Sequence, residues 1–299
     1  MLKKILQRGF AAIGVSLLLG AGPAAAKAPV PAHPALWAVA DADTTVYLFG
    51  TIHLLPEKYR WRTAAFDQAV DGSQELVLET IVDEKNPQKM ISALASLGFA
   101  KGLPPIASRV PEARRPALES AIKKSGIPRP LFDQMETWAA AFMLLGNQFK
   151  DLGLKGEEGV ERVLRDNFTS RGKAVGELET NVEQLGFFDK LPESSQRELL
   201  EGAIEQPQNF NAEFREMLEA WSRGDVGAIA RSFNRDLGAS PDLKEALIER
   251  RNANWSRWIE QRMAQPGAIM IAVGAGHLAG KDSVIDMLRK NGYRVRRVQ

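Results

Sequence analysis

Two stretches of the chain read almost alike: VYLFGTIHLLP at Val46–Pro56 and IMIAVGAGHLAG at Ile269–Gly280. Each is an apolar, strand-like run ending in Gly-x-x-His-Leu, and together they hold two of the chain's three histidines, His53 and His277. Imidazole is the commonest neutral metal ligand and the commonest general base near neutral pH. A lone histidine is more often a satisfied structural residue, but a matched pair in a histidine-poor chain points to one shared site. No His-Glu-x-x-His is present, which excludes a helix-borne zinc pair. His33 lies in a proline-rich leader and is assigned no role.

Acidic candidates follow the same strand-end logic. Glu79 closes the apolar run ELVLET, where a carboxylate needs a cation or a water-filled site unless it is a solvated loop acid. Glu179 repeats the arrangement in GELET, with Glu177 as its alternative by register. Two histidines with one or two carboxylates are a standard ligand set for Zn²⁺, Mn²⁺ or Fe²⁺. In ERRNANW, Arg250, Arg251 and Asn252 form either a polar helix face or a guanidinium site for a carboxylate or an oxyanion. GAGHLAGKDS is not a phosphate-binding loop, because Asp282 stands where Ser or Thr must follow the lysine. GLKGEEG lacks a dinucleotide fingerprint, no Gly-x-Ser-x-Gly elbow occurs, and the absence of cysteine excludes a thiol nucleophile.

These residues need elements to hold them. LWAVADADTTVYLFGT contains two β-rich runs around Asp41–Asp43, the pattern of a hairpin. A short helix in RTAAFDQAVDGS and a strand in ELVLET follow. The chain ends as β-α-β in AIMIAVGAG, KDSVIDMLRKNG and YRVRRV. Between them, NPQKMISALASL, PEARRPALESAIKKSG, PLFDQMETWAAAFMLLGNQF and EEGVERVLRDNFTSRG show apolar residues at helical spacing. GKAVGELET interrupts them as a strand. Helices resume in SQRELLEGAIEQ, NAEFREMLEAWSRGD and the long PDLKEALIERRNANWSRWIEQRM.

The expectation is an α/β (α+β) fold. Its central mixed sheet is built from the N- and C-terminal parts of the chain, with a large helical insertion at about 84–264. Strands leading to Gly50 and Gly274 in one sheet would bring both histidines to its C-terminal edge, where open α/β sheets bind ligands. Glycines there are expected to let the backbone turn and to leave room for a substrate.

The first residues point to a compartment. MLKKILQRGF carries three basic residues, AAIGVSLLLG is apolar, and AGPAAAKAP offers cleavage after Ala26. Residues 1–26 therefore read as a secretory signal peptide, the apolar run being short of the roughly 20 residues of a membrane span. The expected domain is 36–299, behind a Pro/Ala-rich leader at 27–35, in a periplasmic or secreted protein with no membrane span after cleavage. Removing three basic residues from the 39 Lys+Arg leaves 36 against 37 Asp+Glu. A near-neutral chain gives no reason to expect nucleic acid as a partner. Without disulfides, a packed core has to hold the fold.

With those residues in view, the chain resembles the TraB/GumN family, which includes the Tiki extracellular metalloproteases and is distantly related to erythromycin-esterase and ChaN-like proteins. The likeness runs from Leu36 to Val298. YLFGTIHLLP, GELET with Gln184 after it, ERRNANW and VGAGHLAGKDSVIDMLRKNGYRV carry it. Both Gly-x-x-His elements that mark the family are intact, Gly50–His53 and Gly274–His277. The resemblance implies a metal-dependent hydrolase, with peptide cleavage known for the animal members. It matches His53, His277 and an acidic residue, best at Glu79 and Glu179, to metal and catalytic positions, and Arg251-Asn252 to the family's Arg-Asn pair. The expected site is thus a divalent ion (Mn²⁺, Zn²⁺ or Co²⁺) on His53, Glu79 and His277, acting on a peptide or small-molecule substrate. Glu179 would take the water's proton, and Arg251 with Asn252 would hold the oxyanion. The alternatives are a metal-dependent esterase or amidase, and a periplasmic accessory protein that binds a metal or haem without catalysis.

Overall fold

The computed structural model describes residues 32–82, 87–151, 159–204, 210–237 and 240–299. The expected signal peptide and the first part of the leader lie outside them. Six strands, β1 (Leu36–Ala40), β2 (Thr44–Thr51), β3 (Glu75–Leu78), β4 (Ala174–Glu177), β5 (Gly267–Gly274) and β6 (Val295–Arg297), form one mixed sheet in the order β4-β3-β5-β2-β1-β6. Neighbours from β4 to β2 are parallel, whereas β1 is antiparallel to both β2 and β6. The α/β architecture expected from the sequence is the one formed. Strand β4 comes from mid-chain, from the strand-like GKAVGELET.

Period-2 alternation divides each strand between two cores. Ile269, Ile271 and Val273 of β5 face one apolar cluster with Val46 and Leu48 of β2. Met270 and Ala272 face the other with Phe49. A parallel strand covered on both faces reads as a continuous apolar run, which is why IMIAV is so uniform. The β1–β2 hairpin closes as expected, with Asp41 Oδ1 accepting from the backbone N–H of Asp43 at 3.2 Å and of Thr44 at 2.8 Å.

The helices are α1 (Ala64–Gly72), α2 (Gln88–Leu97), α3 (Arg115–Ser125), α4 (Arg129–Phe132), α5 (Thr137–Asp151), α6 (Val160–Ser170) and α7 (Asn181–Asp189). They continue as α8 (Glu193–Ile204), α9 (Phe210–Ser222), α10 (Val226–Leu237), α11 (Pro241–Lys244), α12 (Arg250–Met263) and α13 (Val284–Lys290). None of the described helices is long and apolar enough to cross a membrane.

Three local departures have physical causes. The run PLFDQMETWAAAFMLLGNQF is two helices, because Arg109 takes backbone carbonyls that one continuous helix would need. The Arg109 side chain is buried, and it donates to the carbonyls of Pro104 (2.8 Å), Met135 (2.6 Å) and Asp133 (3.2 Å). The long C-terminal helix carries a π-helical stretch at Glu245–Glu249 between α11 and α12. Such stretches interrupt α-helices mostly near functional sites. Helix α7 was not expected, although Thr180 and Glu183 form a capping box that announces its start.

Candidate functional site

Parallel pairing aligns the C-terminal ends of β2, β5, β3 and β4. Thr51 pairs with Gly274, and Leu78 lies between Ala272 and Glu177. The ladder runs on past the strands, with Glu179 N–H donating to Glu79 C=O at 2.9 Å. Two carboxylates are thereby placed side by side, next to the loops that carry the two histidines.

The two Gly-x-x-His turns touch one another. A Cβ added to Gly50 would lie 3.0 Å from Ala275 Cα, and one added to Gly276 would lie 2.3 Å from the Phe233 ring. The space beside Gly50, expected to be left for a substrate, is filled by the other motif. Gly50→Ala should therefore destabilise the fold by about 1–3 kcal/mol through overpacking against backbone. Urea unfolding checks this, and an unchanged midpoint would show that the turns yield freely.

Arg251 is the centre of the site. Its Nε donates to both oxygens of Glu179 at 2.9 and 3.0 Å, and its Nη2 donates to Glu179 Oε2 at 2.8 Å and Glu79 Oε2 at 2.7 Å. Trp255, four residues on and so on the same helix face, donates its indole N–H to Glu179 Oε1 at 2.9 Å and lies under the guanidinium at 4.6 Å. Glu79 Oε1 also accepts from Gly274 N–H at 2.5 Å. All these side chains are buried, and charge-assisted bonds in so dry a setting are short and directional.

His277 has a defined tautomer. The amide of Asn252 donates from Nδ2 to Asp282 C=O at 2.8 Å, which leaves Oδ1 to accept from His277 Nδ1–H at 2.7 Å. The Nε2 lone pair then faces Arg251 Nη1 at 3.3 Å. Burial drives the imidazole down to about 3, against the pull of Glu79, so it stays neutral at physiological pH. Asn252 thus orients His277, with its Oδ1 taken by the ring and one of its two amide N–H groups by Asp282.

The carboxylates are pushed apart. Burial raises both, but at Glu79 the charge of Arg251, those that His277 and His53 carry when protonated in acid, and the Gly274 amide outweigh it, bringing the group to about 2. Glu179 remains raised, because burial outweighs Arg251 and the Glu79 charge adds to it. The alternative between Glu177 and Glu179 is resolved as well. Glu177 Oε2 turns away to accept from Ile81 N–H at 2.7 Å. Of the arginine pair, Arg250 pairs on the surface with Glu245 at 2.7 Å.

His53 reaches the same site from the other motif. Its charge bears on both Glu79 and His277, while its Nδ1 lies 2.7 Å from Glu161 Oε1 of α6. Sequence reasoning missed Glu161 and Trp255. The i+4 spacing from Arg251 could have found the tryptophan, but nothing local marks the glutamate.

The donor types suit a divalent ion, but their arrangement does not. Glu79 accepts from Gly274 and Arg251, His277 Nε2 faces Arg251, and His53 turns to Glu161. A metal amid Glu79, Glu179 and His277 would meet a guanidinium. Among the described residues, no group of three or more His, Cys, Asp or Glu is arranged to hold a metal ion.

Fold and site together define a mixed α/β protein with a buried Glu-Arg-His cluster at the C-terminal sheet edge, approached by a second histidine. The family model described as TraB/PrgY/gumN family matches residues 35–297, and the chain belongs to that family. It is 25% identical over 262 residues to the uncharacterized protein YbaP of Escherichia coli (strain K12), covering 86% of this chain and 92% of that one. The same figures hold for the uncharacterized protein YbaP of Shigella flexneri. No solved structure matches.

Proposed function

We propose that the chain is an exported hydrolase that splits a carbonyl-centred bond in a peptide, or in a small-molecule ester or amide. The proposal includes cleavage of the signal peptide at 1–26 and a periplasmic or secreted mature protein. The observation that carries it is a pair of buried carboxylates sharing Arg251 Nη2 at 2.7 and 2.8 Å, with Glu79 held down and Glu179 pushed up. Such a divergence separates a permanently charged group from a proton-transferring one.

The roles follow from position. His53 is the least buried of the set, with 12% of its side chain exposed, so substrate and water arrive on its side. It takes a proton as the water oxygen bonds to the carbonyl carbon. Glu179, its carboxylate shifted toward protonation by burial, relays that proton through solvent to the departing nitrogen or oxygen as the bond breaks. Nη1 is the least committed end of the Arg251 fork, with contacts of 3.3 and 3.4 Å, and it stabilises the oxyanion. Glu79 holds that guanidinium in place, and neutral His277 packs beside it.

A second reading, a metal- or haem-binding accessory protein, is favoured by one observation: Asn252 accepts from His277 Nδ1 and leaves the ring's lone pair on Nε2, as hydrogen bonds to metal-bound imidazoles do. One experiment separates the two. The purified protein is given a fluorogenic peptide library and p-nitrophenyl esters, first with chelator and then with Zn²⁺, Mn²⁺ or Co²⁺ added in turn. Hydrolysis that falls at least ~10²-fold in Glu179→Gln is expected, the usual minimum worth of a positioned proton-transfer group. Hydrolysis that needs an added metal would instead restore the ion to the mechanism. No hydrolysis under any condition, with tight binding of metal or haem, would establish the accessory protein.

A further inference from the structure

Neither the family motifs nor the mechanism above uses the close contact between His53 and Glu161. Both side chains are largely buried, at 12% and 16% exposure, with Nδ1 and Oε1 2.7 Å apart. Glu161 Oε1 is closed to solvent and makes no well-aligned hydrogen bond. A buried carboxylate oxygen without a donor is costly, and His53 Nδ1 lies within hydrogen-bond distance of it. The backbone makes the meeting obligatory. Val160 N–H, one residue before Glu161, donates to the carbonyl of Ile52, one residue before His53, at 3.2 Å. Helix α6 and the first Gly-x-x-His turn are thereby locked in register, whatever their side chains do.

We propose that Glu161 is a positioning residue for His53. Its carboxylate accepts the Nδ1 proton, which fixes the ring's rotation and tautomer and places the lone pair on Nε2. His277 is set in the same way by Asn252, so each strand-end histidine has its Nδ1 tied by a partner from a neighbouring helix. The two partners differ in charge. An amide holds His277 as a neutral ring, whereas a carboxylate also stabilises the imidazolium that forms when His53 accepts a proton. Glu161 thus marks His53, rather than His277, as the histidine that cycles through a charged state. The inference deepens the hydrolase reading and rests on it for that last step only.

The test reads the ring directly, without substrate. In protein labelled with ¹⁵N-histidine, with the three histidines assigned by single replacements, His53 in the wild type is expected as the Nδ1–H tautomer. Glu161→Leu should convert it to a mixture of tautomers and lower kcat on the best p-nitrophenyl ester or peptide by ~10–100-fold, the usual effect of losing such a partner, with KM within about twofold. Glu161→Asp should recover the tautomer in part and the rate with it. A purely structural glutamate would lower thermal stability and leave tautomer and kcat alone, and that result overturns the proposal. If Glu161→Leu does not fold, the wild-type spectrum decides, since a His53 without its proton on Nδ1 is equally fatal. Failure of the hydrolase reading looks different: His53→Ala would leave the measured rate unchanged while the Glu161-dependent tautomer persists.

Discussion

Arg251→Met is expected to lower the free energy of unfolding by about 3–5 kcal/mol at pH 7, the usual cost of removing one partner from a buried ion pair. Methionine keeps the length of the side chain and removes the charge. Glu79 and Glu179 share Arg251 Nη2 at 2.7 and 2.8 Å, so the substitution leaves two adjacent carboxylates in a dry site without their cation. The deficit should shrink in acid from both sides. In the wild type, Glu79 is depressed from 4.5 to about 2, so its contribution is full above pH 4.5 and is lost as pH falls toward 2. At about 1.4 kcal/mol per unit, that contribution is about 3 kcal/mol. In the variant the same carboxylates are relieved by protonation, so stability rises as pH falls. Urea unfolding from pH 7 down to about 2, the window set by the Glu79 shift, measures both trends. The triple variant Arg251→Met/Glu79→Gln/Glu179→Gln should recover most of the loss, because no uncompensated charge remains. A loss below about 1 kcal/mol in the single variant would show that the carboxylates are not ionised against Arg251.

The second large effect belongs to His277. Its pKa falls from 6.5 to about 3 on folding, so the unfolded chain binds a proton that the native site rejects. Stability from this group is therefore complete above pH 6.5 and is lost as pH falls from 6.5 toward 3. By pH 4.5 the loss is about 3 kcal/mol, before Glu79 begins to titrate, and it reaches about 4 kcal/mol near pH 3. Glu179, raised on folding, works in the opposite direction. The measurement is accordingly the difference between the wild type and His277→Gln, which keeps a polar group beside Asn252 but cannot titrate. Between pH 6.5 and 4.5 the wild type should lose about 2 kcal/mol more stability than the variant. Parallel pH profiles would mean that His277 is not held neutral by burial.

Much of this site was legible before any fold was known, and the reasons are local. Strand-end glycines and histidines stand out because parallel strands buried on both faces must be uniformly apolar, so Gly50, His53, Gly274 and His277 interrupt an otherwise plain pattern. Glu79 stands out for the same reason, whereas Glu179 follows β4, a half-exposed edge strand that gives no such contrast. Elements with unbroken periodicity, such as α3, α6 and β5, were legible as well. The break between α4 and α5 was not, because Arg109 imposes it from 24 residues upstream of Asp133 and its carbonyl partners carry no side-chain signal.

By itself the sequence determined which residue types meet at the strand ends, that Arg251 and Asn252 lie on a long helix, and the family to which the chain belongs. Tertiary structure alone decided what each group faces. It put a guanidinium between the two carboxylates, turned Glu177 away and Glu179 inward, tied His277 to Asn252, and gave His53 the carboxylate of Glu161. The physical reason is that charge type is a property of a residue, whereas pKa, tautomer and hydrogen-bond partner are properties of a surrounding. In a buried site that surrounding is built by elements far apart along the chain: Glu79 and Arg251 meet across 172 positions, a distance over which no local pattern carries information.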